Sequence, residues 1–407
     1  MQDLFCSHLQ HLKKIILHIT FLLLFCCETS PGYNDIEIVE INGLTYGLLK
    51  SNNSLFTGDI IEYSRDLTGV SFNDDTGESF PEYEYYPFIE IHFENGLATG
   101  SWKWYNTKNY KIELKLKMTI KKINSWAKPK GVLPSLLNFP SSAKIYKEPY
   151  GAVLIISPWN YPHQLAFGPL IGAIAAGNTV ILKPSELTPN TSAVTKEIIE
   201  AVFDKKQVTI IEGGVEVSKR LLAQRWDYIF FTGSVPVGKI VAKAAAKFLT
   251  PTTLELGGKS PCVVDGTTPV QKTARRIIWG KFLNCGQTCI APDYILVKKD
   301  HKDDLIKALI QEIEKAFGPD AKKSDDYGRL IHKKHFDKLK KDLQNENILF
   351  GGNMDRESLY FEPTLVNEPA MDSRLIEDEI FGPILPVLSY QTEEGLDLVL
   401  SKLKNPL

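Results

Sequence analysis

From about Met118 onward, apolar and polar positions fall into two textures that take turns along the chain. Short continuous apolar runs, "YGAVLIISP" at 150–158, "TVILKPS" at 179–185 and "VTIIEGG" at 208–214, have the length and flanking turn residues of strands buried on both faces. Between them lie stretches with helical spacing. "AFGPLIGAIAAGN" reads as a helix of small residues closed by Gly177-Asn178, and "SAVTKEIIEAVF" places Val194, Ile198 and Val202 on one face. "YIFFTGSVPVGKIVAKAAAKF" at 228–248 repeats the order of strand, glycine turn and helix. Parallel strands joined by helices predict a doubly wound α/β domain, which binds ligands beyond the carboxyl ends of its strands.

Residues 31–111 have another character, with short alternating runs such as "IEIHF" and "SWKWY" that predict half-exposed strands. "TGDIIEY" at Thr57–Tyr63 and "TGSWKWY" at Thr99–Tyr105 share the pattern T-G-x4-Y, and Asn95-Gly96 adds a hairpin signal. This segment resembles the aromatic β-hairpin repeats of MORN-like, antitoxin-component-type proteins; an irregular β-rich region is the alternative. Ahead of it, "KKIILHITFLLLFCC" sets two lysines before an apolar stretch from Ile15 to Cys27. That length suits a signal-peptide core better than a membrane span, and a buried helix is the other reading.

A chain of 407 residues can hold two or three domains. With 47 basic against 49 acidic residues there is no overall field to attract nucleic acid, and the Trp102, Trp104 and Tyr105 cluster lacks the surrounding positive charge that would change that. Three of the six cysteines (Cys6, Cys26, Cys27) precede residue 28, and Cys262, Cys285 and Cys289 lie far downstream, which is not the spacing of a disulfide framework. Two histidines in "HKKH" at 332–335 are separated by lysines that repel a cation, so no metal is expected.

Chemistry gathers in a few loops. Gly233 and Gly238 bracket a turn between strand and helix, where the backbone can approach a ligand and helix amides can face phosphate, but the spacing is not G-x-G-x-x-G and a plain turn is the competing reading. Cys289 follows Gly286-Gln287-Thr288, a loop too polar for a packed core, and an ordinary thiol there supplies a few per cent thiolate at neutral pH. Cys285, four residues earlier, reads as packing, with a redox partner as the alternative.

"SPWNYP" at 157–162, "LKPSE" at 182–186, "FFTGS" at 230–234, "TLELGGKSP" at 253–261, "GQTC" at 286–289 and "DEIFGPILPV" at 378–387 occur in order and at similar spacing in the NAD(P)-dependent aldehyde dehydrogenases. The chain from about 118 to 407 resembles that family, and its class 3 or fatty-aldehyde branch most. The resemblance implies an α/β fold with a Rossmann-like NAD domain at 112–254 and an α/β catalytic domain from 255 to 407, preceded by a signal-like segment at 1–30 and the β-hairpin repeat module at 31–111. It implies oxidation of an aldehyde to a carboxylic acid through a thiohemiacetal and thioester on Cys289. The Asn160 side-chain amide and the Cys289 backbone N–H would hold the oxyanion, and Glu255 would activate water, with Leu254 and Leu256 raising its pKa. Cofactor contacts carried over in the same way are Ile156, Ser157, Trp159, Lys183, Ser185, Glu186, Gly233, Ser234, Gly238, Glu379 and Phe381. Among these, Lys183 and Glu186 fall at the adenosine ribose, Gly233 to Gly238 at the pyrophosphate, and Glu379 and Phe381 at the nicotinamide end. Glu186 repels a 2′-phosphate, which favours NAD over NADP.

Departures from the family pattern set further expectations. The repeat module stands where the family has N-terminal helices, and the chain stops at "SKLKNPL", ahead of the family's pairing strand, which sets a truncated catalytic domain against the homodimer that the family implies. The signal-like start points to a secreted or membrane-anchored protein, whereas a reactive thiol and NAD point to the cytoplasm. Two other functions stay open: an inactive fusion whose repeat module binds a partner, and an enzyme that passes the acyl group to coenzyme A.

Overall fold

The computed structural model describes residues 36–41, 44–49, 101–138, 140–403 and 406, and the chain divides into a unit ending at Met118 and a unit running from Thr119 onward. In the first unit, β1 (Ile36–Ile41) and β2 (Leu44–Leu49) form an antiparallel hairpin in which Ile36 faces Leu49. Helix α1 (Ser101–Ala127) follows and crosses the division between the units. Its first residues correct an expectation, because "SWKWY" is helical and not a strand. The 27 residues contain no Gly or Pro, and Ile112, Leu116, Thr119 and Ile123 recur as a buried stripe at helical spacing. Propagation over such a length outweighs five residues of alternation. "TGDIIEY", Asn95-Gly96 and the apolar run at 15–27 lie outside the described residues.

The second unit begins with a short antiparallel pair, β3 (Lys130–Val132) and β4 (Ala143–Ile145). Then come β5 (Ala152–Ile156), α2 (Pro162–Ala175), β6 (Thr179–Lys183), α3 (Pro189–Val202), β7 (Val208–Ile210), α4 (Val215–Leu222), β8 (Tyr228–Thr232), α5 (Val235–Ala246) and β9 (Thr252–Glu255). Their strands make one parallel sheet in the order β7-β6-β5-β8-β9. Of the runs that read as doubly buried strands, β5 and β6 lie inside the sheet and β7 forms one edge. Leu154, Ile156, Ile229 and Phe231 pack with Trp226, Val241 and Ala245 in one cluster. Helix α3 departs from its simple apolar face: Val194 is half-buried, and Ser192 and Thr195 take the covered positions beside Ile198, Ile199 and Val202. These hydroxyls can be buried because they bond backbone, Ser192 Oγ donating to Ser185 O (2.9 Å) and Thr195 Oγ1 to Thr191 O (2.7 Å).

A second sheet follows from β10 (Pro261–Val264), α6 (Val270–Phe282), β11 (Tyr294–Lys298), α7 (Lys302–Phe317), α8 (Lys333–Asp342), β12 (Ile348–Phe350), β13 (Met354–Asp355), β14 (Tyr360–Phe361), β15 (Thr364–Asn367), α9 (Arg374–Glu377), β16 (Ile384–Tyr390) and α10 (Glu393–Lys402). Its order is β10-β11-β16-β15-β12, parallel except for the β12–β15 edge. Ile295, Val297, Leu365, Ile384 and Val387 are sealed in the core with α6 and α7 side chains. Among the described residues, no helix is long and apolar enough to cross a membrane.

Candidate active site

The carboxyl ends of β5, β6 and β8 carry the first group of candidate residues. Ser157 continues β5 and donates its N–H to Lys183 O (3.1 Å), while Gly233 N–H bonds Glu255 O (2.9 Å), so the loops leave the sheet side by side. Ser157 Oγ is sealed from solvent with no hydrogen-bond partner. Ile156 is buried at the strand end. Lys183 is also buried, and its ammonium bonds Glu186 Oε2 at 2.8 Å. Burial works to raise the Glu186 carboxyl, but the Lys183 hydrogen bond and charge win and hold it below the usual range. Ser185 is buried and accepts from Leu187 N–H (3.3 Å). Ser234 is the N-cap of α5, yet its side chain caps no amide, leaving the first N–H groups of that helix open. Gly238 is also constrained by packing. It lies buried in α5, where a Cβ would come within 2.7 Å of Leu256, so its missing side chain serves packing.

The nucleophile candidate sits where the two sheets meet. Helix α6 ends at Phe282 and passes into a 3-10 turn (Leu283–Gly286) in which Asn284 (φ 53°) and Cys285 (φ 56°) adopt left-handed backbone. Such strain survives only when tethers over-determine it. Gln287 supplies several, donating to Asn284 O and Arg329 O (both 3.0 Å) and accepting from Ile331 N–H (2.9 Å). The loop after β5 supplies the rest: Asn284 Nδ2 donates to Asn160 O (2.9 Å), Asn160 Nδ2 to Gln287 O (3.1 Å), and the Tyr161 hydroxyl lies 2.6 Å from Thr288 Oγ1. Asn160 and the cysteine loop, 127 residues apart in sequence, are thereby one structure.

Cys285 is fully buried, bonded to the Tyr327 hydroxyl at 3.5 Å, and burial pushes its thiol up to about 12, which fits packing. Cys289 is half-buried, and its thiol is also raised. Burial is the main cause; the N–H groups of Cys289 and Ile290 oppose it, and the charges of Glu379 and Glu255 add to it. The thiolate fraction at rest is therefore smaller than that of an ordinary thiol, a correction to the sequence-based expectation.

Gly286 sets the reach of this loop. Its φ is +71°, and a Cβ there would overlap the backbone of Gly382. Gly286→Ala is expected to destabilise the chain by about 2–4 kcal/mol, and a urea denaturation midpoint unchanged from wild type would contradict this packing.

The charges of two carboxylates act on the sulfur. Glu255, the last residue of β9, is solvent-exposed: Leu254 and Leu256 do not bury it as their apolar character suggests. Glu379 is the desolvated one. Burial first, and Asp293 second, raise it to about 7, against the Gly258 N–H, Lys281 and Lys259. Its carboxylate lies so close to Gly257 that any side chain there would overlap it. Phe381, two residues on, has φ 51° and meets the Trp159 ring edge-on at 5.5 Å, joining the two sheets over the site. His335 Nε2 bonds Phe381 O at 2.8 Å, while His332 Nδ1 accepts from His335 N–H and caps α8. The "HKKH" histidines thus brace the Phe381 turn, a role their spacing gave no means to see.

His163 lies in the first turn of α2, beside Asn160 and Tyr161. Its ring packs on Phe167 at 4.6 Å, Nε2 is sealed without a partner although the residue as a whole is only half-buried, and burial lowers its pKa from 6.5 to about 4. A base depressed in the folded state contributes full stability above pH 6.5 and loses it as pH falls toward 4, because the unfolded chain binds the proton first. This loss is about 2–3 kcal/mol. His163→Phe is expected to flatten the decline in unfolding free energy between pH 7 and 4.5, and parallel pH curves for the two proteins would sink that account.

Residues 120–399 match the family model described as the aldehyde dehydrogenase family. The chain is 51% identical over 279 residues to 4,4'-diaponeurosporen-aldehyde dehydrogenase of Staphylococcus aureus, covering 68% of this chain and 61% of that protein. It is 40% identical over 311 residues to the dimeric NADP-preferring aldehyde dehydrogenase of Rattus norvegicus, covering 76% of this chain and 69% of the relative. The structure of Staphylococcus aureus AldH in its substrate-bound state superposes with a TM-score of 0.72 at 48% identity, covering 74% of this chain and 67% of that one. The chain spans about three fifths of the length of several curated relatives it matches.

Proposed function

Because the chain belongs to the aldehyde dehydrogenase family, we propose that it oxidises an aldehyde to a carboxylic acid with NAD, or NADP, through a thioester on Cys289. The observation that carries this reading is the joining of Asn160 to the cysteine loop at 3.1 Å, beside two carboxylates whose charge reaches the same sulfur.

The residues at the strand ends fit a dinucleotide. Ser157 Oγ is an orphaned buried hydroxyl, the α5 amides are uncapped, and the Lys183–Glu186 pair offers a donor and an ionised acceptor for ribose hydroxyls. Ionised Glu186 supports NAD over a cofactor bearing a 2′-phosphate. Trp159, Glu379 and Phe381 would hold the nicotinamide end.

Cys289, only half-buried, gives its proton to solvent water, and its sulfur adds to the carbonyl carbon, moving the π electrons onto oxygen. That oxyanion is stabilised by the Cys289 N–H and by the Asn160 amide, which has two N–H bonds and spends one on Gln287 O, fixing the aim of the other. When bound, the nicotinamide supplies a hydride acceptor for the tetrahedral carbon, whose oxidation leaves a thioester. Glu255, exposed and therefore open to solvent, then takes a proton from water as the water oxygen attacks that thioester; the C–S bond breaks, and carboxylic acid and the Cys289 sulfur part.

Medium to long aliphatic or aromatic aldehydes are the proposed substrates, and the cytoplasm the proposed compartment. The almost fully exposed Leu133, Leu136 and Leu137, beside the β3–β4 pair, support self-association as a dimer. Turnover of hexanal and benzaldehyde with NAD and with NADP tests the reading. Carboxylic acid is the expected product; an acyl-coenzyme A product when coenzyme A is added, or no reduced cofactor at all, overturns it.

A further inference from the structure

The cysteine loop is anchored on a stretch of chain that belongs to neither helix nor strand. Asn284 and Cys285 keep their left-handed backbone because Gln287 ties them down, and the buried side-chain amide of Gln287 makes two of its three bonds outside the loop, to Arg329 O and from Ile331 N–H. Residues 327–331 have no ladder of their own to hold those two groups in place. Arg329 supplies the missing restraint. Its guanidinium donates from Nη1 to Tyr327 O (2.8 Å) and Gly328 O (3.0 Å), and from Nη2 to Lys322 O (2.6 Å) in the 3-10 turn Ala321–Lys323. Its Cζ lies 5.1 Å from the centre of the Tyr360 ring on β14. One planar fork thereby closes residues 322–329 into a loop and faces an aromatic ring, a geometry that a single ammonium does not reproduce. The segment so closed backs the strained turn. A Cβ on Gly328 would stand 3.5 Å from Cys285, and the Tyr327 hydroxyl accepts from Cys285 Sγ (3.5 Å) while donating to Phe361 O (2.7 Å).

We propose that Arg329 is a positioning residue for the nucleophile loop: by closing the 322–329 segment it sets Arg329 O and Ile331 N–H where Gln287 needs them, and so fixes the Gln287 carbonyl that aims the Asn160 amide. Each non-covalent link from the guanidinium to that amide is a hydrogen bond, at 2.6, 2.8 and 3.0 Å within the segment, 3.0 Å from Gln287 Nε2 to Arg329 O, and 3.1 Å from Asn160 Nδ2 to Gln287 O. Without the fork, the carbonyls of Lys322, Tyr327 and Gly328 lose their donor, and nothing opposes relaxation of Asn284 and Cys285 toward ordinary backbone. Arg329 acts through Gln287 and not on the sulfur itself. Its role rests on the reaction proposed above, because the loop presents that sulfur and that oxyanion donor.

The first test uses neither cofactor nor aldehyde. The native full chain is alkylated with iodoacetamide, and labelling of Cys285 and Cys262 is timed by peptide mass spectrometry. Arg329→Met, which keeps the stem and removes the donors, is expected to raise Cys285 labelling by about tenfold or more, with Cys262 on β10 staying within about twofold of wild type. Where Arg329→Met does not fold, Arg329→Lys takes its place, since one ammonium cannot serve the three carbonyls together. Unchanged Cys285 labelling in a folded variant, or Cys262 labelling that rises in step, makes Arg329 a general stabiliser and overturns the proposal. The second test reads the reaction. With hexanal, kcat falls about ten- to a hundredfold while KM for NAD stays within about threefold; Gln287→Met does the same, and the double variant is no slower than the slower single one, because both changes cut one path. Effects that multiply in the double variant overturn the proposal. A wild type without turnover refutes the reaction, and the labelling result then decides the role of Arg329.

Discussion

Cys289→Ser is expected to lower kcat/KM for hexanal or benzaldehyde by at least about a thousandfold, while Cys285→Ser stays within a few-fold of wild type. A serine hydroxyl at position 289 would feel the same burial and the same two carboxylates that already raise the thiol, from a starting point far less acidic, and alkoxide would be absent at neutral pH. The backbone N–H groups of Cys289 and Ile290, which favour the charged sulfur, cannot make up such a gap. Cys285 is sealed behind the loop against Tyr327 and cannot reach an aldehyde; its substitution costs packing, about 1 kcal/mol. Side-by-side turnover of the three proteins, with thiol labelling mapped by mass spectrometry, checks this. Equal rates for wild type and Cys289→Ser would remove the covalent mechanism.

Glu255→Gln is expected to separate the two halves of the reaction. Steady-state turnover falls by about 100-fold or more, yet a first equivalent of reduced cofactor still appears, and intact-mass measurement finds the acyl group on the protein. The reason lies in the different settings of the two carboxylates. Glu255 is solvent-exposed at the end of β9 and can meet water, whereas Glu379 is partly buried, tucked against Gly257, and titrates near 7. A trapped acyl group in Glu379→Gln but not in Glu255→Gln would exchange these roles. No acyl adduct in either, with turnover near wild type, would leave the hydrolytic step without its base.

Part of this protein's fold is legible in its sequence alone. The short, largely apolar runs within 150–158, 179–185 and 208–214 announce parallel strands, and they are β5, β6 and β7. The cysteine loop announced itself by a polar setting for a thiol. Where the chain's own periodicity misled, side-chain hydrogen bonds to backbone and helix propagation were responsible. Val194 yields its place on the buried face of α3 to Ser192 and Thr195, whose hydroxyls find carbonyl acceptors that no apolar count includes. "SWKWY" alternates like a strand and is drawn into a 27-residue helix.

The sequence by itself determined much of the order of elements, most strand interiors and the choice of candidate reactive groups, since each of these is written in residues a few positions apart. Only the tertiary structure decided their electrical state. Glu255 is exposed although leucines flank it, Glu379 is desolvated although two acidic residues precede it, and Lys281 is sealed in although its neighbours in sequence gave no sign. Burial depends on what the rest of the chain lays over a side chain, and charge interactions sum over groups such as Asp293, Lys259 and Cys289 that meet only after folding.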